Sequence, residues 1–453
     1  MITALYKNGV NVIRMNFSHK DYEEKKRVID IVRKLNKEDK TKLSLLLDNK
    51  GPEIRTGKKE TKTQYEIHDE VKITINPDDV WERDIFCDYP YLLEDLAIGD
   101  IIKIDSWLFD VQVTVIEWDH CKGKALNSAL IWSYRHINLP GKKLKLPALT
   151  DQDKEDLLFG IQHKITIIAM SFVRSADHIK ELRSYWKENG WETVHIIAKI
   201  ENQEGIDHLD EIIQESDGIM VARWDLGIEV PITLLPFYQQ RIVDRCHEFG
   251  KPVIIATQMI ESMIKEPFPT RAEINDIYQA VMTWADCTML SGETAIGEHP
   301  IQALQFMRST IQSAELYKST LLYNYTDQGR DTVGIHYKQL LKSALYLAKN
   351  IDAAALVLFT KSWAWAKLLS SYKSKIPIIA CTRDQSVLER LGYYYGVVAR
   401  MIEGKPEPTY DWILSQCPII NNTDNKPFIV VWDTDTIHGH YPTIQIIKKS
   451  DLL

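Results

Sequence analysis

HIIAKIENQEG (195–205) and GIMVARWDLGIEV (218–230) decide how the chain is read. Each opens on apolar and β-branched residues, the pattern of a strand buried on both faces of a parallel sheet. Each ends in charge: Lys199 and Glu201 in the first, Arg223 and Asp225 in the second. Side chains at the C-terminal ends of barrel strands are where a β/α barrel keeps its chemistry. Two carboxylates and a lysine on neighbouring strand ends suit a divalent cation shared with a phosphate. The lysine adds positive charge against a phosphoryl group in transfer.

Bulk properties narrow the classes. A chain of 453 residues exceeds one core and implies two or three domains. Net charge is −8 with no long basic block, which argues against nucleic acid and asks for a local basic pocket for anions. Cys87, Cys121, Cys246, Cys287, Cys381 and Cys417 lack C-x-x-C spacing and read as reduced cytoplasmic thiols. No apolar stretch reaches the roughly 18 residues of a spanning helix, and no signal peptide opens the chain, so no membrane partner is expected.

The alternation of strands and helices places seven barrel strands, ending near Asn16, Asp48, Ser171, Glu201, Arg223, Gln258 and Ser291. A (β/α)8 barrel closes with eight. Between about Thr56 and Pro140 the pattern turns to short alternating runs (EVKITI, DIIKID, VQVTVI), a small all-β insertion. From about Thr332, helices alternate with AAALVLFT, IPIIACT, VVARM and FIVVWD, a separate α/β domain. The division is 1–56 with 141–325 for the barrel, 57–140 for the insertion and 326–453 for the C-terminal domain.

The run KIENQEG followed by GIMVARWDLGIE resembles pyruvate kinase. So do NVIRMNFSH (11–19), LLLDNKGPEIRTG (45–57), ATQMIESMIKEPFPTRAE (256–273) and MLSGETA (289–295), in the family's order over nearly the whole chain. The resemblance implies an α/β fold: a TIM barrel, an inserted small β-barrel lid and a C-terminal α/β domain. The family's first strand, a T-K-I-V-x-T-I-G-P pattern ahead of the first helix, is missing here, and the start reads as truncated or misassigned.

The implied reaction is phosphoryl transfer from phosphoenolpyruvate to ADP, giving pyruvate and ATP. The resemblance assigns Arg14 and Lys199 to the phosphoryl group, and Glu201 and Asp225 to Mg2+ (or Mn2+). It assigns Asn16, Ser18, Asp48 and the carbonyl of Asn49 to K+, which Glu53 marks as required. Thr257 and Ser291 line the enol carbon, and Glu293 joins a water relay for its protonation. Asn16, His19, Arg55 and Arg135 face the nucleotide, with Asp105 beside them. Ser171 and Arg174 support the site. Trp224 and Asp225 open the helix that receives the substrate carboxylate. Thr360, Lys361 and Ser362, in LFTKSWAWAKL (358–368), match a loop that binds a sugar-phosphate or nucleotide effector, although Ala364 stands where that loop has arginine. A cytoplasmic homotetramer is implied as well. The competing reading is a catalytically impaired relative that binds nucleotide or sugar phosphate as a sensor.

Trp107, Trp191, Trp224, Trp284, Trp363 and Trp432 fall where the family pattern has glycine; Trp132 and Trp365 fit the same pattern. The chain holds 20 glycines and 12 tryptophans, a glycine share of about 4% against a usual ≈ 7%. Indoles at six glycine positions are expected to cost roughly 1–3 kcal/mol each, against a domain stability of about 5–15 kcal/mol. A gene that uses UGA for glycine, translated with UGA as tryptophan, yields this pattern, and an upstream UGA read as a stop yields the short start. A divergent paralogue with genuine tryptophans is the other origin. Intact mass of protein from its native source separates them. UGA-glycine lowers the mass by one fixed increment per position, and a mass matching the printed sequence refutes it.

Overall fold

The computed structural model describes residues 1–453 apart from 19–20, 39, 79, 319–333, 405–407, 417–425, 437–438 and 450–453. His19, Cys417 and the boundary expected near 325 lie outside the described residues.

Seven parallel strands follow one another in chain order across one sheet: β1 (Val12–Asn16), β2 (Ser44–Asp48), β3 (Ile167–Met170), β4 (His195–Ile200), β5 (Gly218–Ala222), β6 (Val253–Ala256) and β7 (Cys287–Met289). β2, β3, β5 and β6 are buried at every position, as their unbroken apolar runs require. β1 and β7 are the sheet's edges. The sheet curls until their upper ends meet: Arg14 of β1 donates from Nη1 to Ser291 Oγ, just beyond β7, at 3.3 Å. The helices between strands start on matched caps. Asp21 accepts the Glu24 N–H at the head of Tyr22–Lys37. Thr150 with Asp153, and Thr270 with Glu273, close reciprocal capping boxes on Asp151–Gln162 and Arg271–Met282.

The insertion lies between β2 and β3. Its main sheet runs in the order Ile54–Arg55, His136–Asn138, Ile101–Ile104, Phe109–Ile116, His120–Ala125, Glu70–Thr74, Ile85–Phe86. An antiparallel bridge between Thr56 and Cys87 joins its two edges and closes it into a small barrel. Closure removes the exposed edges that an isolated sheet presents. The C-terminal sheet has the order Val397–Met401, Ile378–Thr382, Ala355–Phe359, Phe428–Thr436, Gly439–Ile447, with only the last pair antiparallel.

Two cores meet the barrel wall. One fills the space between sheet and helices, around Leu47, Trp186, Ile196 and Val221. The other begins inside the barrel, at Leu46, Ala169, Ile197, Met220 and Ile254, and continues into the C-terminal unit through Leu391, Tyr393 and Tyr394. The seam below the barrel is therefore apolar and continuous with both units.

Of the six tryptophans at family glycine positions, only Trp284 takes a left-handed backbone, at φ +72°. Strain expected at all six is thus a backbone matter at one. Trp284 is buried, and the Lys318 ammonium lies 3.3 Å from its ring centroid. Among the true glycines, Gly51 has both needs at once. Its φ is +73°, and a Cβ there would meet the Ser171 Cβ at 2.8 Å. Gly141 has φ +74° with open space around it. Gly51→Ala is expected to cost on the order of 1–3 kcal/mol, clearly more than Gly141→Ala, in urea unfolding of the two variants. Equal losses would mean that the close approach to Ser171 contributes nothing.

Candidate active site

The strand register sets the site. Asn16 pairs with Asp48, Asp48 with Ala169, Met170 with Ala198, and Ala222 with Ala256, so the strands end at a common level. Residues at and just past that level turn inward above the barrel.

Lys199 is the centre. Its Nζ donates to Ser171 Oγ at 2.7 Å and Asp48 Oδ1 at 3.1 Å, and lies 3.0 Å from Glu201 Oε1. Burial works against its charge, but the carboxylates of Asp48 and Glu201 outweigh it and raise its pKa. Asp48 is buried and takes Arg14 Nε on its other oxygen at 2.5 Å. Burial alone would lift the Asp48 carboxyl; Arg14 and Lys199 hold it below the usual range. Glu201 is buried, accepts the Phe172 N–H at 2.6 Å, and is raised by burial despite Lys199. Asp225 is pushed up to about 7, by burial first and the Glu201 charge second.

The upward shifts of Glu201 and Asp225 test whether a divalent cation fits. Burial raises both carboxyls and the Glu201 charge adds to the rise at Asp225, so the pair is short of positive charge that Lys199 alone does not make up. Among the described residues no cluster of three or more metal-ligating side chains forms. Two carboxylates with the remaining places left to water and substrate suit Mg2+, which keeps several non-protein ligands. Of the residues expected to hold a monovalent cation, two keep acceptor capacity. The Asn16 side-chain oxygen accepts the Ser18 N–H at 3.0 Å, and the Asn49 carbonyl accepts Ser171 Oγ at 2.7 Å. Each keeps a lone pair beyond those bonds.

Thr257 and Ser291 lie at the same rim. Thr257 and Gln258 both take positive φ, +67° and +53°. Arg223 holds this strained turn: Nε donates to the carbonyl of Thr257 at 3.1 Å, while Nη1 pairs with Asp276 at 2.5 Å. Glu293 accepts the N–H of Ser291 at 2.7 Å and that of Ile260 at 3.4 Å, so its carboxylate clasps the two loops together. The helix Arg223–Glu229 opens here without a side-chain cap, and the Trp224 N–H donates to Thr257 Oγ1 at 3.1 Å. The Trp224 indole packs on Trp107 from the lid, centroids 5.0 Å apart.

The lid residues form their own set. Arg135 Nη1 is 3.6 Å from Asp105 Oδ1, and its guanidinium lies 4.5 Å over Trp132. Arg55 is held by Glu53 at 2.7 Å and by the Tyr134 carbonyl at 2.8 Å. Arg174, expected to support the site, bonds the main chain instead of facing Lys199. It is buried and donates to the carbonyls of Leu146 and Pro147, fixing the chain as it returns from the lid.

Asp153 is a participant that the strand-end reading missed. Its Oδ1 accepts from Asn49 Nδ2 at 2.8 Å and from the Gly51 N–H at 2.9 Å. The Thr150–Asp153 capping box was the available signal, but nothing local pairs it with residues about 100 positions away. In the C-terminal unit, Thr360 Oγ1 accepts the Ser362 N–H at 3.2 Å, and Lys361 is exposed. Trp363 packs against His195 at 4.7 Å, at the foot of β4.

The pyruvate kinase barrel domain model matches residues 1–304, and the pyruvate kinase alpha/beta domain model matches 338–428. Pyruvate kinase of Candida albicans is 35% identical over 99% of this chain and 92% of its own length. Pyruvate kinase 1 of Saccharomyces cerevisiae is 38% identical over 91% and 83%, and the enzyme of Geobacillus stearothermophilus 37% over 95% and 71%. With the parallel barrel sheet and the C-terminal α/β sheet in the order of those two models, the chain belongs to the pyruvate kinase family.

Proposed function

We propose that this pyruvate kinase family member transfers the phosphoryl group of phosphoenolpyruvate to ADP, on the residues around Lys199. The observation that carries the reading is one buried ammonium facing Asp48, Ser171 and Glu201 from three adjacent strand ends. In transfer the bond from phosphorus to the enol oxygen breaks and a bond to the ADP β-phosphate oxygen forms. Lys199 and Arg14 offset negative charge on the equatorial oxygens, and both are preset by Asp48. Glu201 and Asp225 would hold Mg2+ or Mn2+, which would supply Lewis-acid charge to the transfer. K+ is assigned to Asn16, Ser18, Asp48 and the Asn49 carbonyl. The enolate left behind takes a proton on the Thr257 and Ser291 side; neither hydroxyl is an acid by itself, so water carries it.

The lid, 57–140, brings Asp105 and Arg135 toward the nucleotide and excludes water, which limits hydrolysis. The barrel comprises 1–56 and 141–325, and the regulatory domain 326–453. Thr360, Lys361 and Ser362 are assigned to an effector phosphate. No helix among the described residues is long and apolar enough to cross a membrane, and a cytoplasmic homotetramer completes the reading.

Lys199→Met is expected to lower pyruvate formation by about 10²–10³, with the far-UV spectrum retained; turnover near the parent level would remove Lys199 from the mechanism. The raised carboxyl of Asp225 gives a second test. Below about 7 it holds a proton that a metal must displace, so Mg2+ affinity falls toward tenfold per pH unit there and levels off above. Calorimetric titration with Mg2+ between pH 6 and 8 measures this. A flat profile would show that Asp225 is not a ligand.

A further inference from the structure

The lid meets the barrel helix Arg223–Glu229 at both of its ends. At one end the Trp107 indole packs on Trp224. One turn on, a Cβ at Gly227 would come within 3.3 Å of Trp107 Cζ2, so glycine allows the close approach. At the other end Glu229, the last residue of the helix, accepts from Asn138 Nδ2 at 2.7 Å. Asn138 ends the strand His136–Asn138, by which the chain leaves the lid. That strand pairs through Ile137 with Ile54, on the strand by which the chain enters, and through Asn138 with Lys103. The Asn138–Glu229 bond therefore sits where the two connecting strands lie side by side, at the pivot of the lid.

Local preference does not account for a carboxylate at that position. The C-terminal end of a helix favours cations. Burial disfavours the charge and raises the Glu229 carboxyl, with the Asn138 bond and the Lys103 charge opposing. Lys103 is itself 3.7 Å from Asp110. Among the described residues Glu229 has no ion pair, and Asn138 is its hydrogen-bond partner. A carboxylate can only accept, so it dictates which way the Asn138 amide faces. The buried Asn138 Oδ1 is left without a partner among the described residues. A residue that breaks local preference on both counts is expected at a functional site. Trp107 and Trp224 both stand at family glycine positions, so the contact at the first end depends on their origin. The contact at Glu229 does not.

We propose that Glu229 is a positioning residue: by accepting from Asn138 it ties the pivot of the lid to the helix that carries Asp225, so that closing the lid and presenting that carboxylate are one movement. This rests on the phosphoryl-transfer reading, in which the lid closes over ADP. A contact near a pivot travels little as the lid swings, so the bond holds in either stance and fixes the axis. Without it the lid closes from a wider range of starting angles, and the lost order weakens nucleotide binding.

The test uses the full chain. Glu229→Ala removes the acceptor and is expected to raise KM for ADP about tenfold, the loss of one charge-assisted hydrogen bond. Glu229→Gln keeps an acceptor oxygen for the Asn138 amide and should return KM to within about twofold of the parent. Asn138→Ala removes the donor from the lid side and should match Glu229→Ala. The double variant is expected to lose no more than either single one, because both delete the same bond. A residue that only held the helix together would lower the melting temperature without moving KM. Calorimetric titration with ADP reads the same loss without turnover. A parent chain that bound ADP and made no ATP would thus sink the transfer reading, while the variants' ADP affinities still judged the tie. If Glu229→Ala does not fold, the ADP affinity of Asn138→Ala decides alone. Unchanged ADP affinity in these variants, or additive losses in the double variant, would overturn the assignment.

Discussion

A buried ammonium between two buried carboxylates is the constraint on which the rest depends. Taking charges out of water costs several kcal/mol per ion, and mutual attraction offsets this only when geometry is good and every remaining polar group is bonded. Lys199 meets those terms with acceptors from three different elements: Asp48 ending β2, Ser171 after β3 and Glu201 after β4. A slip of one residue in β3 would turn Ser171 to the other face of the sheet, and one in β4 would turn Lys199 and Glu201. The charge cluster and the barrel register therefore specify each other.

Around that cluster, charged side chains bond the main chain more than they bond each other. Asp153 accepts the N–H groups of Gly51 and Thr150, Arg174 donates to the carbonyls of Leu146 and Pro147, and Glu293 accepts the N–H groups of Ser291 and Ile260. Ser171, Glu201, Thr257 and Ser291 stand just past their strands, where no ladder fixes them. A carboxylate accepting two backbone N–H groups does for a loop what a sheet does for a strand. The positive φ of Thr257 and Gln258 persists because Arg223 holds the Thr257 carbonyl.

This explains which parts were legible beforehand. Lys199, Glu201 and Asp48 stand at the ends of short apolar runs, and strand ends in a parallel barrel converge whatever the loops do. The seven strands and the all-β character of the insertion follow from the same local periodicity; its closure, through the Thr56–Cys87 bridge, does not. Glu293 and Arg174 were visible as charged residues near strand ends, but their partners were not: a clasp between loops is a tertiary fact with no local period. Tryptophan at glycine positions misled in the other direction. A family glycine marks either a left-handed backbone or a close approach, and only at Trp284 does the backbone itself carry the mark.

The two ends of the barrel differ in how they treat charge, and one strand connects them. At the top, cations and carboxylates alternate around Lys199. At the bottom, lysines outnumber acids beneath an apolar seam. β4 runs between, about 20 Å at roughly 3.3 Å per residue. Its first residue, His195, is buried between the Tyr393 hydroxyl at 2.7 Å and the Trp363 ring. Its last turn bears Lys199 and Glu201. Hydrogen bonds at the top tolerate shifts of only a few tenths of an ångström before they weaken. β4 therefore touches both regions: its first residue is fixed against the C-terminal unit by Tyr393 and Trp363, and its upper end carries Lys199 to Asp48, Ser171 and Glu201.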